Sequence, residues 1–377
     1  MPSFYEFFAG GGMARAGLGQ NWNCLFANDF DAKKAESYRA NWGSMGLSVE
    51  DVALLSTFDL PNNADMVWAS FPCQDLSLAG NGAGLNGDRS GAFWPFWKLI
   101  QSLKVEGRHP KVVVLENVRG LLTSHNGDDF RSLCQQVSNS GYRFGAIVAD
   151  AADFVPQSRP RLFVIAVRDD IPVEGAEESS PEWHSTRLVE AYDLLSEPLK
   201  MRWIWFQLPS RPLRKHRLID VLEVDADVHS WHSDEYTHRL CSMMSETNRR
   251  KLEMALSSQG RHVGAVYRRT RIENGKRIQR AEIRFDGLAG CLRTPGGGSS
   301  KQTILIVHDG AIKSRLLSPR EAARLMGLPD EYVLPKNCND ALHLTGDGVA
   351  VPVVRFLSAN LIEPILNGTL GLSAIAA

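Results

Sequence analysis

The chain has 377 residues, 44% of them apolar and 23% charged, with a net charge of −1 at neutral pH. That length exceeds one ordinary core and predicts two domains, or one domain with a large insertion, in a soluble globular protein. The composition excludes a disordered chain, and the charge balance excludes a globally basic nucleic-acid binder, so any polyanion site has to come from local charge segregation.

Phe4–Ala9 reads as a strand, followed by the glycine cluster Gly10-Gly11-Gly12 and a helix over Met13–Gly19. Asn23–Asn28 reads as a second strand, and Met66–Ser70, Lys111–Leu115 and Leu162–Val167 as further ones. Trp94–Leu103 and Asp129–Ser138 carry helical spacing between them. Strands separated by helices predict a parallel sheet covered on both faces. The alternation stops after Asp170, and residues 171–185, rich in Pro, Glu, Ser and Gly, read as a boundary. Further on, Arg261, Arg268, Arg269, Arg271, Lys276, Arg277, Arg280 and Arg284 stand against Glu273 and Glu282 alone. Glu273-Asn274-Gly275-Lys276 predicts a hairpin turn, so this segment is either a solvated two-stranded face or a phosphate-tracking surface. A helix over Pro319–Met326 follows, and Val349–Ile365 reads as an apolar strand-and-helix segment.

Met1-Pro2-Ser3-Phe4 lacks the basic and apolar regions of a signal peptide. No run of about 18 apolar residues predicts a membrane span. The cysteines Cys24, Cys73, Cys134, Cys241, Cys291 and Cys338 form no CxxC pair and no cluster. This argues against a structural zinc site or any other metal site, and against a disulfide framework, and favours a reducing cytoplasm.

Four motifs carry chemistry. Phe7-Phe8-Ala9-Gly10-Gly11-Gly12 lies between a strand and a helix, where glycines permit a tight turn and close approach of a ligand. Asp29 closes the second strand, able either to accept hydrogen bonds from ribose hydroxyls or to cap the helix from Asp31. Phe71-Pro72-Cys73-Gln74 follows another strand, and Cys73 is either a nucleophile or a small buried hydrophobe. Leu115-Glu116-Asn117-Val118 places a carboxyl at a third strand end, facing the same crevice or solvent. Gln157-Ser158-Arg159-Pro160-Arg161 sets two arginines on one side of an extended chain, suited to anions or to ordinary ion pairs.

In this order the motifs resemble those of the DNA (cytosine-5)-methyltransferases, of the bacterial or phage type. Pro72-Cys73-Gln74 resembles the family's nucleophile motif, Glu116-Asn117-Val118 its acidic motif, and Gln157-x-Arg159-x-Arg161 its arginine motif. Asp153-Phe154-Val155-Pro156 leads into the last, one residue shorter than usual. Leu292-Arg293-Thr294-Pro295-Gly296-Gly297-Gly298, Arg320 to Gly327, and Gly346-Asp347-Gly348-Val349 resemble its late motifs. The likeness covers nearly all of the chain outside about residues 175–285.

The resemblance implies a Rossmann-like α/β fold of the class I methyltransferases, a mostly parallel sheet with helices on both faces. A smaller, mostly β target-recognition domain would accompany it, with a cleft for DNA. The implied domains are 1–184 with 341–377, which bind S-adenosylmethionine, and 185–340. By the same resemblance Cys73 adds to carbon 6 of cytosine and Glu116 hydrogen-bonds the ring. Arg161 reaches the base, and Arg159 lies near the phosphate or the thiolate.

Cofactor contacts carried over are Phe8, Ala9, Gly10, Gly12, Asp29, Phe30, Asp51, Pro72, Phe93, Asp347 and Val349. Implied DNA contacts are Gln74, Ser77, Arg293, Gly297 and Gly298, beside the basic residues Arg268, Arg269 and Arg271. Residues Leu76–Arg89, with four glycines, suit a loop that closes over a flipped base. Asp347 stands where the family usually carries Asn, Cys291 where Thr is usual, and Arg293 where a small residue is usual. The expected partner is double-stranded DNA, with a cognate restriction endonuclease acting separately. The protein would be a monomer in the bacterial cytoplasm or nucleoid. Rival readings are a transfer-RNA cytosine-5 methyltransferase, a silent DNA-binding relative and a nicotinamide-dependent dehydrogenase.

Overall fold

The computed structural model describes residues 1–72, 90–224, 230–273, 275–295 and 301–370. Among them, β1 (Ser3–Phe7), β2 (Asn23–Asn28), β3 (Leu47–Ser48), β4 (Met66–Ala69), β5 (Val112–Val118), β6 (Tyr142–Asp150) and β7 (Pro160–Arg168) form one sheet. Their order is β3-β2-β1-β4-β5-β7-β6. The first five pair in parallel, whereas β7 runs antiparallel to both β5 and β6. Helices α1 (Met13–Leu18), α2 (Ala32–Trp42), α3 (Phe93–Val105), α4 (Asp128–Asn139), α5 (Thr186–Asp193) and α6 (Glu197–Lys200) accompany this sheet. A second sheet, of order β11-β10-β8-β9, is antiparallel: β8 (His262–Glu273), β9 (Lys276–Arg284), β10 (Thr303–His308) and β11 (Ala311–Leu316). Around it run α7 (Leu218–Val221), α8 (Asp234–Ser242), α9 (Glu246–Ser257), α10 (Pro319–Leu325) and α11 (Cys338–Asp347); α12 (Val351–Leu357) and α13 (Glu363–Leu366) follow.

The chain divides into two compact units, one of 1–150, 160–211 and the residues from 349, the other of 151–159 and 212–348. These limits differ from boundaries at 185 and 340. Helix α5 and the residues after it place Leu188, Ala191, Leu195 and Leu199 in the core of the first unit, which therefore runs on to Arg211. Helix α11 stays with the second unit as far as Gly348.

In the first unit, Phe7, Val67, Leu115 and Ala146 of the sheet share a core with Phe96 and Ile100 of α3 and Leu133 and Val137 of α4. In β4 and β5 all residues through Asn117 are buried, the signature of a sheet covered on both faces. Residues Val349–Ile365 contain no strand, contrary to their apolar pattern. They continue from α12 through a π turn, Ser358–Ile362, into α13. Cys338–Leu366 is long and apolar enough to cross a membrane by length and composition. Yet the backbone is extended at Gly348 and Ala350, and Val354, Leu357, Leu361 and Ile365 are buried, which is how core helices look.

Helix α12 packs on α1 at Gly17, where an added Cβ would stand 2.8 Å from the Val351 carbonyl oxygen. Nearby, Trp22 Nε1 donates to Ser358 Oγ at 3.0 Å and to Glu363 Oε1 at 2.9 Å. Glu6 lies buried in the middle of β1, with Oε1 accepting from the Arg15 backbone N–H at 3.3 Å. Burial pushes its carboxyl up to about 8, against the opposing pull of hydrogen bonding and of the Arg15 charge.

Gly17→Ala should cost about 1–3 kcal/mol through overpacking against Val351, read as a lower midpoint in urea unfolding. An unchanged midpoint would mean that α12 moves aside without loss. For Glu6, the folded carboxyl keeps its proton above the ordinary value of 4.5. The unfolded chain therefore ionises first, and stability falls as the pH rises from about 4.5 towards about 8. Glu6→Gln should flatten that decline in melting temperature between about pH 5 and 8.

Candidate active site

Parallel pairing aligns the carboxyl ends of β1, β2, β4 and β5 along one edge of the sheet, where open α/β folds bind their ligands. The segments leaving that edge are Phe8 to Gly12, Asp29, Phe71-Pro72 and Glu116-Asn117. Because β7 is reversed, it begins where the others end, so Pro160 and Arg161 join the same edge.

After β1 the backbone turns through positive φ at Phe8 (56°), Gly10 (56°) and Gly12 (77°). For Phe8, which carries a side chain, that conformation is strained and characteristic of functional sites. Its ring packs on Phe96, 6.0 Å between centroids. A Cβ at Gly12 would overlap the Trp42 indole, whose Nε1 donates to the Gly11 carbonyl at 3.0 Å. A Cβ at Gly10 would meet nothing within 4 Å, so the loop backbone stands open there. Ala9 is buried, its N–H donating to the Asn28 carbonyl at 2.9 Å.

Asp29 fixes the loop: Oδ2 accepts from the Gly10 N–H at 2.8 Å and Oδ1 from the Asp31 N–H at 2.9 Å. Burial pushes its carboxyl up. Capping of α2 falls to Asp31, which accepts from the N–H groups of Lys33 and Lys34. Phe30 is 69% exposed and offers a ring face to a planar ligand. Asp51 is exposed and caps a short 3₁₀ turn by accepting from the Ala53 N–H at 2.9 Å. An open glycine backbone, an exposed aromatic ring and carboxylates at strand ends fit a nucleoside such as the adenosine half of S-adenosylmethionine.

Phe93 does not join this set as its motif position implied. It is fully buried, its ring against those of Phe71, Trp94 and Trp97. Val349 is likewise buried. Among the described residues, no group of three or more His, Cys, Asp or Glu is placed to hold a metal ion.

Glu116 is 6% exposed, and Arg161 Nε lies 3.2 Å from its Oε1. Val118 faces Arg161 across the β5–β7 ladder, which sets Glu116 on the diagonal from Arg161, on the same face. Arg161 also donates through Nη1 to the Pro160 carbonyl at 3.0 Å. Asn117, which sequence reasoning passed over, ties two strand ends together. Its Nδ2 donates to the Phe71 carbonyl at 3.1 Å, while its Oδ1 accepts from the Val118 N–H at 2.8 Å. The only signal for it in the sequence was its place beside Glu116. Pro72 is half-buried at the end of this segment. Cys73, Gln74 and Ser77, the Leu76–Arg89 segment, and Gly297 and Gly298 lie outside the described residues.

Arg159, expected beside a phosphate or the thiolate, belongs to the second unit. It is 2% exposed, and its guanidinium donates to backbone carbonyls and to a sulfur. Nη2 reaches the carbonyls of Gly346 and Gly348 at 2.8 and 2.7 Å, and Nη1 reaches the Leu292 carbonyl at 3.0 Å and Cys291 Sγ at 3.4 Å. Gln157 works alongside it, donating to the Leu325 carbonyl at 2.8 Å and accepting from the Leu292 N–H at 3.0 Å. A Cβ at Gly346 would stand 2.8 Å from the backbone at Arg293 and Thr294, so this approach requires glycine. Asp347, expected near the methionine end of the cofactor, accepts from Thr294 Oγ1 at 2.6 Å. Arg293 is exposed and stacks on Tyr267, with Cζ 5.4 Å from the ring centroid.

The sequence pattern of the C-5 cytosine-specific DNA methylases matches residues 3–363. The chain is 25% identical over 362 residues to the Type II methyltransferase M.HhaI of Haemophilus parahaemolyticus, covering 95% of this chain and 93% of that protein. It is 25% identical over 373 residues to the Type II methyltransferase M.HpaII of Haemophilus parainfluenzae, covering 97% and 90%. Among solved structures, the Dnmt2 methyltransferase of S. pombe superposes with a TM-score of 0.58 at 18% identity, over 97% of this chain and 99% of that one. A putative DNA modification methyltransferase of an E. coli prophage gives 0.56 at 18% identity, over 97% and 100%. These two share the fold. With a family match running almost from end to end, this chain belongs to the C-5 cytosine-specific DNA methylases, a family of enzymes.

Proposed function

We propose that the protein methylates carbon 5 of a cytosine flipped out of double-stranded DNA. The observation that carries this reading is the buried Glu116, paired with Arg161 at the sheet edge where Phe71-Pro72 leads into Cys73. Carbon 5 is a weak nucleophile, and the residues at this edge are of the kinds that correct that. The thiolate of Cys73 adds to carbon 6, and the electron pair of the 5,6 double bond moves towards carbon 5. Glu116 hydrogen-bonds ring nitrogen 3 and the exocyclic amine, stabilising charge that develops in the adduct. Arg161 holds the Glu116 carboxyl in orientation, and the Asn117 amide fixes the spacing of the two strand ends. Gly10, Asp29, Phe30 and Asp51 would hold S-adenosylmethionine, whose sulfonium would supply an electrophilic methyl group and leave as the neutral thioether. Loss of the carbon-5 proton and departure of the Cys73 sulfur restore the aromatic ring. Base flipping exposes the target at a cost of a few kcal/mol. Similarity to Type II methyltransferases supports a role in restriction–modification, with a separate endonuclease, or as a stand-alone methylase. Arg159 acts by positioning the 291–294 and 346–348 segments and touches no reacting atom in this scheme.

Incubation with duplex DNA and methyl-labelled S-adenosylmethionine should yield label as 5-methylcytosine. Cys73→Ala should lower this more than about a thousand-fold while cofactor binding persists. Transfer to a transfer RNA and not to duplex DNA would overturn the choice of substrate. Glu116→Gln should lower the turnover rate about a hundred-fold or more, with DNA affinity little changed. A Glu116→Gln enzyme of full activity would remove the carboxyl from the mechanism.

A further inference from the structure

Strands β8 and β9 pair in unbroken register from Ala265 with Arg284 to Glu273 with Lys276. Strand β10 pairs with β8 only over His262 to Val266. Residues 267–273 and 276–282 therefore extend beyond the four-stranded sheet as a two-stranded ribbon. Facing residues share a side and successive residues alternate, so the ribbon has two unlike faces. One continues the helix-covered side, where Val266, Ala281 and Ile283 share a core with Leu240, Met244 and Leu252; Arg268, opposite Ala281, belongs to this face. The basic residues Arg268, Arg269 and Arg271 thus do not act as one cluster. The other face carries Tyr267, Arg269 and Arg271 on β8 and Glu282 on β9. Arg293 stacks on that same Tyr267, so the face is continuous with the 291–295 segment.

Glu282 holds both ribbon arginines. Its Oε2 lies 3.3 Å from Arg269 Nε, and its Oε1 accepts from Arg271 Nε at 2.6 Å. Glu282 is half-buried while both arginine side chains remain exposed, so the carboxylate braces both guanidinium groups and leaves them open to solvent. A carboxylate in that place weakens attraction to a phosphate. It also fixes the plane of the guanidinium fork, which a bidentate contact to guanine O6 and N7 requires. Residues two apart on a strand are spaced about 6.6–6.8 Å, and two base-pair steps measure about 6.8 Å. A two-stranded ribbon also fits the major groove.

We propose that Arg269 and Arg271 are specificity residues, reading two guanines two base pairs apart in the major groove, with Glu282 setting their guanidinium planes. This rests on the reading of duplex DNA as substrate. The test maps the methylated motif by sequencing random duplex DNA treated with wild-type protein, Arg269→Lys, Arg271→Lys and Glu282→Gln. Lysine keeps the charge and loses the fork. Each lysine variant should lose about ten- to a hundred-fold of its preference at one guanine of the motif, and Glu282→Gln should relax both. Wild-type protein should also bind its target more weakly when 7-deazaguanine replaces either guanine, a measurement independent of how any variant folds. Transfer with an unmoved motif, a uniform loss of rate across all sequences, or indifference to 7-deazaguanine would overturn this inference alone. Absence of transfer by the wild type to any duplex would remove the substrate reading, and the assignment of the two arginines with it.

Discussion

Strand β7 runs against its two neighbours, and the arrangement at the sheet edge depends on that reversal. A parallel strand in its place would begin at the opposite edge, carrying Arg161 away from the carboxyl ends of β4 and β5. Reversed, it delivers Arg161 to within 3.2 Å of Glu116. The register is well defended. Val164 to Ala166 and Val112 to Leu115 are buried on both faces, so a slip of one residue would force packed side chains into the layer on the opposite face and send Arg161 to the other face. The acidic group is thus positioned by the hydrophobic pattern of two strands as much as by its own ion pair.

A comparable constraint acts within the second unit. Gln157 and Arg159 sit two residues apart in extended chain and reach backbone carbonyls of α10, of the 291–292 segment and of the turn after α11. A guanidinium is well suited to this, with five donors in a fixed fork and no need of a carboxylate partner in the same place. The five-residue motif from Gln157 to Arg161 therefore works on two levels. Its first half braces loops in one unit, and its last residue orients a carboxyl in the other.

Much of this was legible in the residues. Alternating apolar runs marked β1, β2, β4, β5 and β7 to within a few residues, because strands buried on both faces read as continuous hydrophobic stretches. The glycine cluster, Glu116 and the arginine motif were recognisable as a set, although singly each had an ordinary alternative. Other features were not legible, for physical reasons. Strand β3 is two residues long and exists only through its pairing with β2. Phe93 looked like a ligand contact by position, but which way a ring faces is decided by tertiary packing against Phe71 and Trp97. Arg159 and Arg161 share a side in extended chain, and only the turn of the backbone between Asp150 and Pro160 gives them separate tasks. Glu6 gave no warning at all, since the apolar run Phe4–Ala9 marks a strand without showing that its one acid is buried.

The contact between α1 and α12 joins residues near the two ends of the described chain; Trp22 and Ser358 are separated by 336 positions. On a ribosome adding about 5–20 residues each second, the first helix would wait some tens of seconds for the surface that buries it. During that interval the face of α1 at Gly17 lacks the Val351 and Val354 contacts that close it. Because α12 follows the second unit in the chain, α1 gains this cover only after residues 212–348 have emerged. Completion of the contact between the first helix and α12 is thereby placed at the end of synthesis, after both units have been made.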